Sequence, residues 1–478
     1  MRIAVLADIG QPVYHVGDEA IGQATARAFS QRGHEPVMLA FDPELAAPEY
    51  PGARVERTIA VPWNEAERLE RYRAAAAGRF DDPETARLAD IITQCDGVHI
   101  AGGGNLNSLY GWLLIERAIV GQLARHLGKP LTLSGQTVGP AASYAEAPVL
   151  AELFGLAQRA GVRDRESARL VSRLTGARPP RVGLDDASFL APGEGSAGDP
   201  WISVTLSRDI ALPHDSAVHE GFAELLAMLH ARVGGPVVFQ PHMQTPGSPD
   251  ADFAVHEQIA ERMPSGSFSL EQISSATEAA ARYGSASCVV TSRFHPVVFG
   301  LSAAKPIFAF APSYYSFSRM SGAFENWGLR GAVAGIDAVR DRRAIGAADA
   351  LLADAEAISA HLRAASPRQR DVAANWWDAL CSAHEGRTGA SMVAFVPTWR
   401  KLPPVWTSLA DSREALRRSQ RAQQAEVDDR ALDQLGVQSL PRGARVRRHA
   451  ARWAARLQRA VRDPRGFIVK VISAAKGK

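Results

Sequence analysis

The chain has 478 residues, 46% hydrophobic and 22% charged, with a formal net charge of +3. One core seldom exceeds about 250–300 residues, so two domains with additions are expected, and the composition excludes a disordered or fibrous chain. Three isolated cysteines, Cys95, Cys288 and Cys381, exclude a disulfide framework and a thiolate zinc site.

In chain order, apolar residues 2–7 read as a strand. Asp8 stops the run short of the roughly 7–15 apolar residues of a signal peptide. A helix over 19–30 comes next, Gly33 suits its C-cap, and 36–41 is a second strand. Asp82-Pro83 supply an N-cap and N1 proline for the next helix. Then come strand 97–101, helix 109–127, strand 130–134, strand 160–163 and helix 166–174. Residues 191–200, rich in Gly, Pro and small polar side chains, read as a linker. The alternation restarts with strand 201–206, helix 217–231, strand 236–240, and helices over 252–262 and 277–283. Strand 288–291, a helix from Pro296 and strand 306–310 complete it. Strands alternating with helices predict an α/β fold of two doubly wound, Rossmann-like domains, 1–192 and 200–345. Helices over 346–385 would pack back across both, and 386–478 would form an extension. No run approaches the about 18 apolar residues of a spanning helix, so a cytosolic location is expected.

In parallel sheets, ligands sit beyond the carboxyl ends of the strands, so the residues just past each strand are the candidates for binding and chemistry. The first strand leads to Gly17-Asp18-Glu19, and strand 97–101 to Gly102, Gly103, Gly104 and Asn105. Strand 130–134 leads to Gly135-Gln136, and strand 160–163 ends at Arg163. In the second half the corresponding positions are Arg208, His242, and Ser292-Arg293-Phe294-His295. Glycine lets backbone amides approach a ligand, and a helix N-terminus adds partial positive charge. Arginine forks match carboxylate and phosphate, and histidine moves protons near neutral pH. A donor carrying both carboxylate and phosphate would use all of these.

In this order, GDEAI (17–21), GGGNL (102–106), GQTVGP (135–140), RDRES (163–167) followed by Asp185-Asp186-Ala187, and SRFH (292–295) resemble the polysaccharide pyruvyltransferase family. The resemblance spans about residues 17–330. It implies a GT-B-like pair of domains facing a cleft, phosphoenolpyruvate as co-substrate, and a ketal formed on two hydroxyls of a glycan or its lipid-linked precursor. The sequence shows no metal-ligand cluster, so no metal or further cofactor is expected. It implies catalytic roles for His295, Asp18, Arg163 and Arg293. Substrate contacts are expected from Gly102, Gly103, Gly104, Asn105, Gln136, Arg208, His242, Ser292 and Arg319. Phe294 stands where the family usually has leucine. Arg319 keeps the charge of a Tyr-x-x-Lys motif, but Tyr315 is one residue out of register with it.

On this reading His295 is the general acid or base, and Arg163 and Arg293 hold carboxylate and phosphate. Asp18 either orients His295 or deprotonates the acceptor. A rival on the same architecture is a nucleotide-sugar glycosyltransferase, against which no paired-glutamate motif is found in the second domain. A non-catalytic glycan- or membrane-binding scaffold is the third reading, opposed by the intact Asp18, Arg163, Arg293 and His295.

Residues 441–478 hold nine Arg and three Lys against one Asp, a net +11 that leaves −8 on the rest of the chain. Val446, Ala450, Trp453, Leu457 and Val461 recur among them at helical spacing, as in a helix lying on an anionic inner leaflet, the alternative reading being a solvated, partly disordered basic tail. The acidic body and the lack of a reading element argue against nucleic acid. The charged stretch over 411–435 reads as a connector or self-association helix.

Overall fold

Short apolar runs form the strands, and the amphipathic stretches between them cover both faces. The computed structural model describes residues 1–140, 142–191, 198–210, 216–387 and 397–409, all within the compact unit Met1–Asp428. The predicted connector over 411–435, the basic tail over 441–478 and most of the linker over 191–200 lie outside the described residues.

The first domain contributes β1 (Arg2–Leu6), β2 (Tyr14–His15), β3 (Glu35–Ala40), β4 (Arg54–Arg57) and β5 (Gly97–Ile100). It continues with β6 (Gly103–Leu106), β7 (Leu131–Val138), β8 (Arg159–Val162) and β9 (Arg181–Val182). Its parallel sheet has the order β4-β3-β1-β5-β7-β8-β9, with β6 against β7. Period-two alternation divides its core: Ile3 and Val5 face one apolar cluster, Ala4 and Leu6 the other. The second domain holds β10 (Ile202–Thr205), β11 (Val237–Phe239), β12 (Met243–Gln244), β13 (Phe268–Leu270), β14 (Cys288–Thr291), β15 (Ile307–Ala311) and β16 (Val333–Gly335). Its parallel sheet runs β13-β11-β10-β14-β15-β16. In both sheets the chain reverses its winding direction beside the first strand, between β1 and β5 and between β10 and β14. Ligands of doubly wound sheets bind at such points.

The two sheets meet at their strand ends. β2 and β12 pair antiparallel across the gap, and Val16 N–H donates to the His242 carbonyl at 3.0 Å. Helix Ala355–His384 returns from the second domain, and its Trp376 and Trp377 join the core that borders the first sheet.

Several features depart from the sequence reading, which also left out β4, β9, β13, β16 and helices Ala147–Leu156 and Tyr314–Asn326. Residues 103–106, read only as the segment following strand 97–101, form a strand of their own, β6. β7 extends to Val138 through an irregularity near Gly135, where φ is +51°. Helix Glu65–Ala76 was not predicted because its Leu69, Tyr72 and Ala75 stripe is hidden among charges. Asn64 caps it, accepting from the Ala66 and Glu67 amides. Residues 397–409, expected in the extension, pack on the second domain, with Leu402, Trp406 and Leu409 in the core. Trp406 is fully buried against Phe308 and Phe310 and donates to the Ala332 carbonyl at 3.1 Å. Among the described residues no helix is long and apolar enough to cross a membrane.

Candidate active site

β14 ends at Thr291, whose Oγ1 accepts from the Arg293 amide at 2.8 Å and turns the chain into helix Phe294–Ser302. Arg293 stands at the N-cap, so His295 lies in the first turn, where the helix dipole is positive. The imidazole reaches across the gap to the start of helix Val16–Ser30 in the first domain. There a Cβ on Gly17 would fall 1.7 Å from His295 Nδ1, so glycine is required by this approach. His295 Nε2 is buried without a hydrogen-bond partner, and the Asp185 carboxylate is 3.9 Å away. Burial drives the His295 pKa down to about 4, against the pull of Asp185 and Asp18. The ring is therefore neutral at pH 7, with one nitrogen uncommitted.

Asp18, one residue beyond Gly17, lies with its Oδ2 3.2 Å from His15 Nδ1 rather than bonded to His295. Burial alone would raise the Asp18 carboxyl, but His15, His295 and Arg163 outweigh it and hold it below the usual range. The same contact raises the His15 pKa against the cost of its burial. Behind them, Asp8 accepts from Gln11 at 2.9 Å and from Asn105 Nδ2 at 2.9 Å, and burial followed by the Asp18 charge raises its pKa.

The expectation that Arg163 grips an anionic donor is corrected by its surroundings. Its Nη1 bonds Asp185 at 2.6 Å, each side chain 2% exposed, and its Nε donates to Thr137 Oγ1 at 2.8 Å. Its guanidinium stacks on Phe294, 4.2 Å from the ring centroid. An arginine so enclosed acts as a support: it seats Phe294, the residue beside His295, and neutralises Asp185. Gln136 is likewise buried, its amide donating to the Ala101 carbonyl at 2.6 Å. The Gly102 amide is engaged by Asp186 at 2.8 Å, and Ser134 donates to the same carboxylate at 2.5 Å. Burial, then repulsion from Asp185, raises the Asp186 pKa to about 7. Gly102 and Gln136 thus shape the floor and offer no free donor.

On the second domain, Arg293 forks onto the fully buried Asp252, which also accepts from the His242 and Met243 amides. The Arg293 side chain is 24% exposed, and of its terminal nitrogens only Nη2 has a partner. His242 is buried with Nε2 2.9 Å from the Tyr283 hydroxyl, and burial, with His295 next, lowers its pKa strongly. Its Nδ1 is buried without a hydrogen-bond partner. Ser292 Oγ accepts from the Ser207 amide at 2.8 Å, tying β14 to β10. Arg208 is exposed on a short 3₁₀ turn.

The displaced tyrosine finds its place in helix Tyr314–Asn326. Tyr315 and Arg319, four residues apart, share one helical face. Tyr315 donates to the Gly104 carbonyl at 2.6 Å, a contact a Gly104 Cβ would obstruct from 2.1 Å. Arg319 stacks on Tyr315 at 4.1 Å, approaches Phe294 at 5.4 Å, and its buried Nε has no partner. Gly103, at φ +152°, lets β6 bend toward this contact. Beside it a cavity of about 320 Å³ opens between Thr137–Pro140 of the first domain and Tyr314, Tyr315 and Ser318 of the second.

The structure thus brings His295, Asp18, Arg293, Arg319 and the GGGNL turn to one interdomain gap, and sets Gln136 and His242 behind it. Sequence reasoning did not single out His15, Asp252 or Tyr315 as site residues. His15 and Asp252 sit outside any motif, though the Asp185-Asp186 pair was visible in its motif. Among the described residues no group of three or more His, Cys, Asp or Glu is arranged to hold a metal ion.

Two parallel doubly wound domains with a buried histidine and arginines between them define an α/β enzyme of GT-B architecture. Solved structures of that kind match over most of the chain. A putative UDP-N-acetylglucosamine 2-epimerase from Listeria monocytogenes gives a TM-score of 0.56 at 14% identity, covering 83% of this chain and 99% of its own. The S. aureus MnaA–UDP structure gives 0.53 at 13%, covering 83% and 99%. A glycosyltransferase from Rickettsia africae gives 0.50 at 10%, covering 80% and 98%. At such identities the likeness is one of fold. Residues 15–314 match the model of the polysaccharide pyruvyl transferase family, and the chain belongs to that family. It is a pyruvyltransferase acting on a glycan, which sets aside the nucleotide-sugar and scaffold readings. No curated protein sequence matches significantly.

Proposed function

We propose that the chain transfers the pyruvyl group of phosphoenolpyruvate, with no further cofactor, onto two hydroxyls of one sugar and releases phosphate. The observation that carries this is the buried, uncommitted Nε2 of His295 at a helix N-terminus between two domains. A proton goes to the methylene carbon, which becomes the methyl group. The central carbon gains a bond to each sugar oxygen as its bond to the phosphate oxygen breaks. Of the two hydroxyl protons lost, one balances the methyl group and the other leaves on phosphate.

His295 is neutral in the free protein, and an incoming trianion beside it would raise its pKa and let it carry that proton. Arg293 and Arg319 have nitrogens without partners and are the groups proposed to hold carboxylate and phosphate. Asp18, held ionised, would accept a hydroxyl proton. Arg208 and Asn105 border the gap as further contacts.

Phosphate release from phosphoenolpyruvate, measured with and without a panel of hexosides, tests the reading. Acceptor-dependent release that disappears in His295→Ala supports it. Equal release from wild type and His295→Ala would overturn the assignment of His295.

The basic residues 441–478 further support attachment to an anionic inner membrane leaflet, where lipid-linked acceptors would lie. Full-length protein should sediment with phosphatidylserine vesicles and a chain ending at Leu440 should not. Equal sedimentation of both would remove the proposal.

A further inference from the structure

Trp63 is 73% exposed, an unusual position for the largest aromatic side chain. It lies against Trp112 with ring centroids 3.8 Å apart and planes 32° from parallel. Trp112 meets Tyr110 edge-on at 5.8 Å, and Tyr110 meets Tyr315 at 6.1 Å. Tyr315 is the residue that bonds Gly104 and carries Arg319 in the candidate active site. An unbroken series of rings therefore leads from solvent to the reacting region.

The series is built on rigid supports. Trp63 immediately precedes Asn64, the cap of helix Glu65–Ala76, and its carbonyl accepts from Arg68 at 2.5 Å. Arg68 in turn pairs with the fully buried Glu146 at 2.6 Å. Helix Gly111–His126, which carries Trp112, starts directly on that pair: a Gly111 Cβ would lie 2.3 Å from Arg68 Nη2 and 2.6 Å from Glu146 Oε1. Asn107 accepts from the Leu109 and Tyr110 amides and donates to the Gly104 carbonyl, fixing Tyr110 relative to the glycine turn.

We infer that Trp63, Trp112 and Tyr110 form a track, ending against the buried Tyr315, for a linear oligosaccharide, the part of the acceptor extending beyond the sugar that is modified. This rests on the acceptor being a glycan. The C–H faces of pyranose rings carry partial positive charge and stack on the negative faces of aromatic rings, while ring hydroxyls stay in water. Tryptophan and tyrosine make such contacts with little loss of side-chain freedom, which suits repeated weak stacking. The series ends at the interdomain gap of an enzyme that acts on a glycan, which favours a saccharide over a protein partner.

The test uses full-length wild type, Trp63→Ala, Trp112→Ala and Trp63→Phe on an array of natural glycans from monosaccharides to hexasaccharides. Thermal midpoints confirm that each variant is folded. Wild type is expected to retain longer glycans more strongly than monosaccharides. The alanine variants should lose about tenfold or more of that retention, and Trp63→Phe should recover most of it. Retention by wild type that ignores glycan length, or identical profiles for wild type and the alanine variants, would overturn the track. Phosphate release from phosphoenolpyruvate on the retained glycans separates the two readings. Absent release with retention lost in the alanine variants refutes the donor and leaves the track standing. Release with retention unchanged refutes the track alone.

Discussion

The two faces of the interdomain gap are built on opposite principles. On the first-domain face nearly every polar group is already satisfied: Arg163 by Asp185 and Thr137, Asp186 by Ser134 and the Gly102 amide, Asn105 by Asp8. The exception is Gln136 Oε1, which is buried without a partner. The second-domain face keeps reactive atoms uncommitted, His295 Nε2 and Arg319 Nε among them. A saturated network is rigid and costly to break, whereas an unpaired buried donor costs stability and is kept where a ligand will use it. Apart from Asp18, the first face therefore holds shape, and the second carries most of the groups proposed for chemistry. Substitutions in the saturated network should be read in stability, those of the uncommitted groups in turnover.

The sharpest way to break this contrast is His295→Ala, expected to lower turnover by about 10²–10⁴ with the thermal midpoint nearly unchanged. A fall in midpoint with turnover preserved would reverse the assignment of the two faces. The counterpart is Asp185→Ala, which strands the buried Arg163 guanidinium. Loss of one partner of such a pair costs about 3–5 kcal/mol, read as a lower urea midpoint. Gly17→Ala links the faces, because its methyl group would occupy the position of His295 Nδ1. A displaced imidazole should reduce turnover by about 10²-fold with a smaller change in stability. Tyr315→Phe removes one hydrogen bond across the gap, worth about 0.5–1.5 kcal/mol in unfolding free energy.

The finest test is the sign of the pH dependence. Burial lowers the His295 pKa to about 4 from an unfolded value of about 6.5. Between those values the unfolded chain binds more protons, so the contribution of His295 is full above pH 6.5 and lost as pH falls toward 4. Burial raises the Asp186 pKa to about 7 from an unfolded value of about 3.9. Its contribution is full below the unfolded value and lost as pH rises through 7. In urea titrations, His295→Gln should flatten the acid-side fall, and Asp186→Asn should flatten the fall toward pH 7. Unchanged slopes in both variants would show that neither group is buried as described.

Much of this was legible along the chain. Alternating apolar runs and amphipathic stretches are local patterns with periods of two and about 3.6 residues, so the parallel α/β class could be read from them. The strand-end motifs from GDEAI to SRFH indicated the family, because residues at strand ends must keep their order and type to meet one ligand. The helix over 65–76 stayed hidden because its apolar stripe is short and surrounded by charge, and its stability comes from a cap and tertiary packing. The placement of Trp406 in the second core was hidden because an isolated aromatic carries no period.

The class of fold, the family and the residues that meet at the strand ends were determined by sequence alone. Only the tertiary structure decided which of those residues are free. Arg163 and Arg293 look alike as arginines ending strands, yet Arg163 is enclosed by Asp185, Thr137 and Phe294, while Arg293 keeps part of its fork exposed. Tyr315 looked one residue out of register until the helix set it on the same face as Arg319 and against Gly104. The physical reason is common to both cases. Availability depends on burial and on partners from distant segments, such as Asp185 for Arg163 and Gly104 for Tyr315, and a linear pattern does not encode those distances.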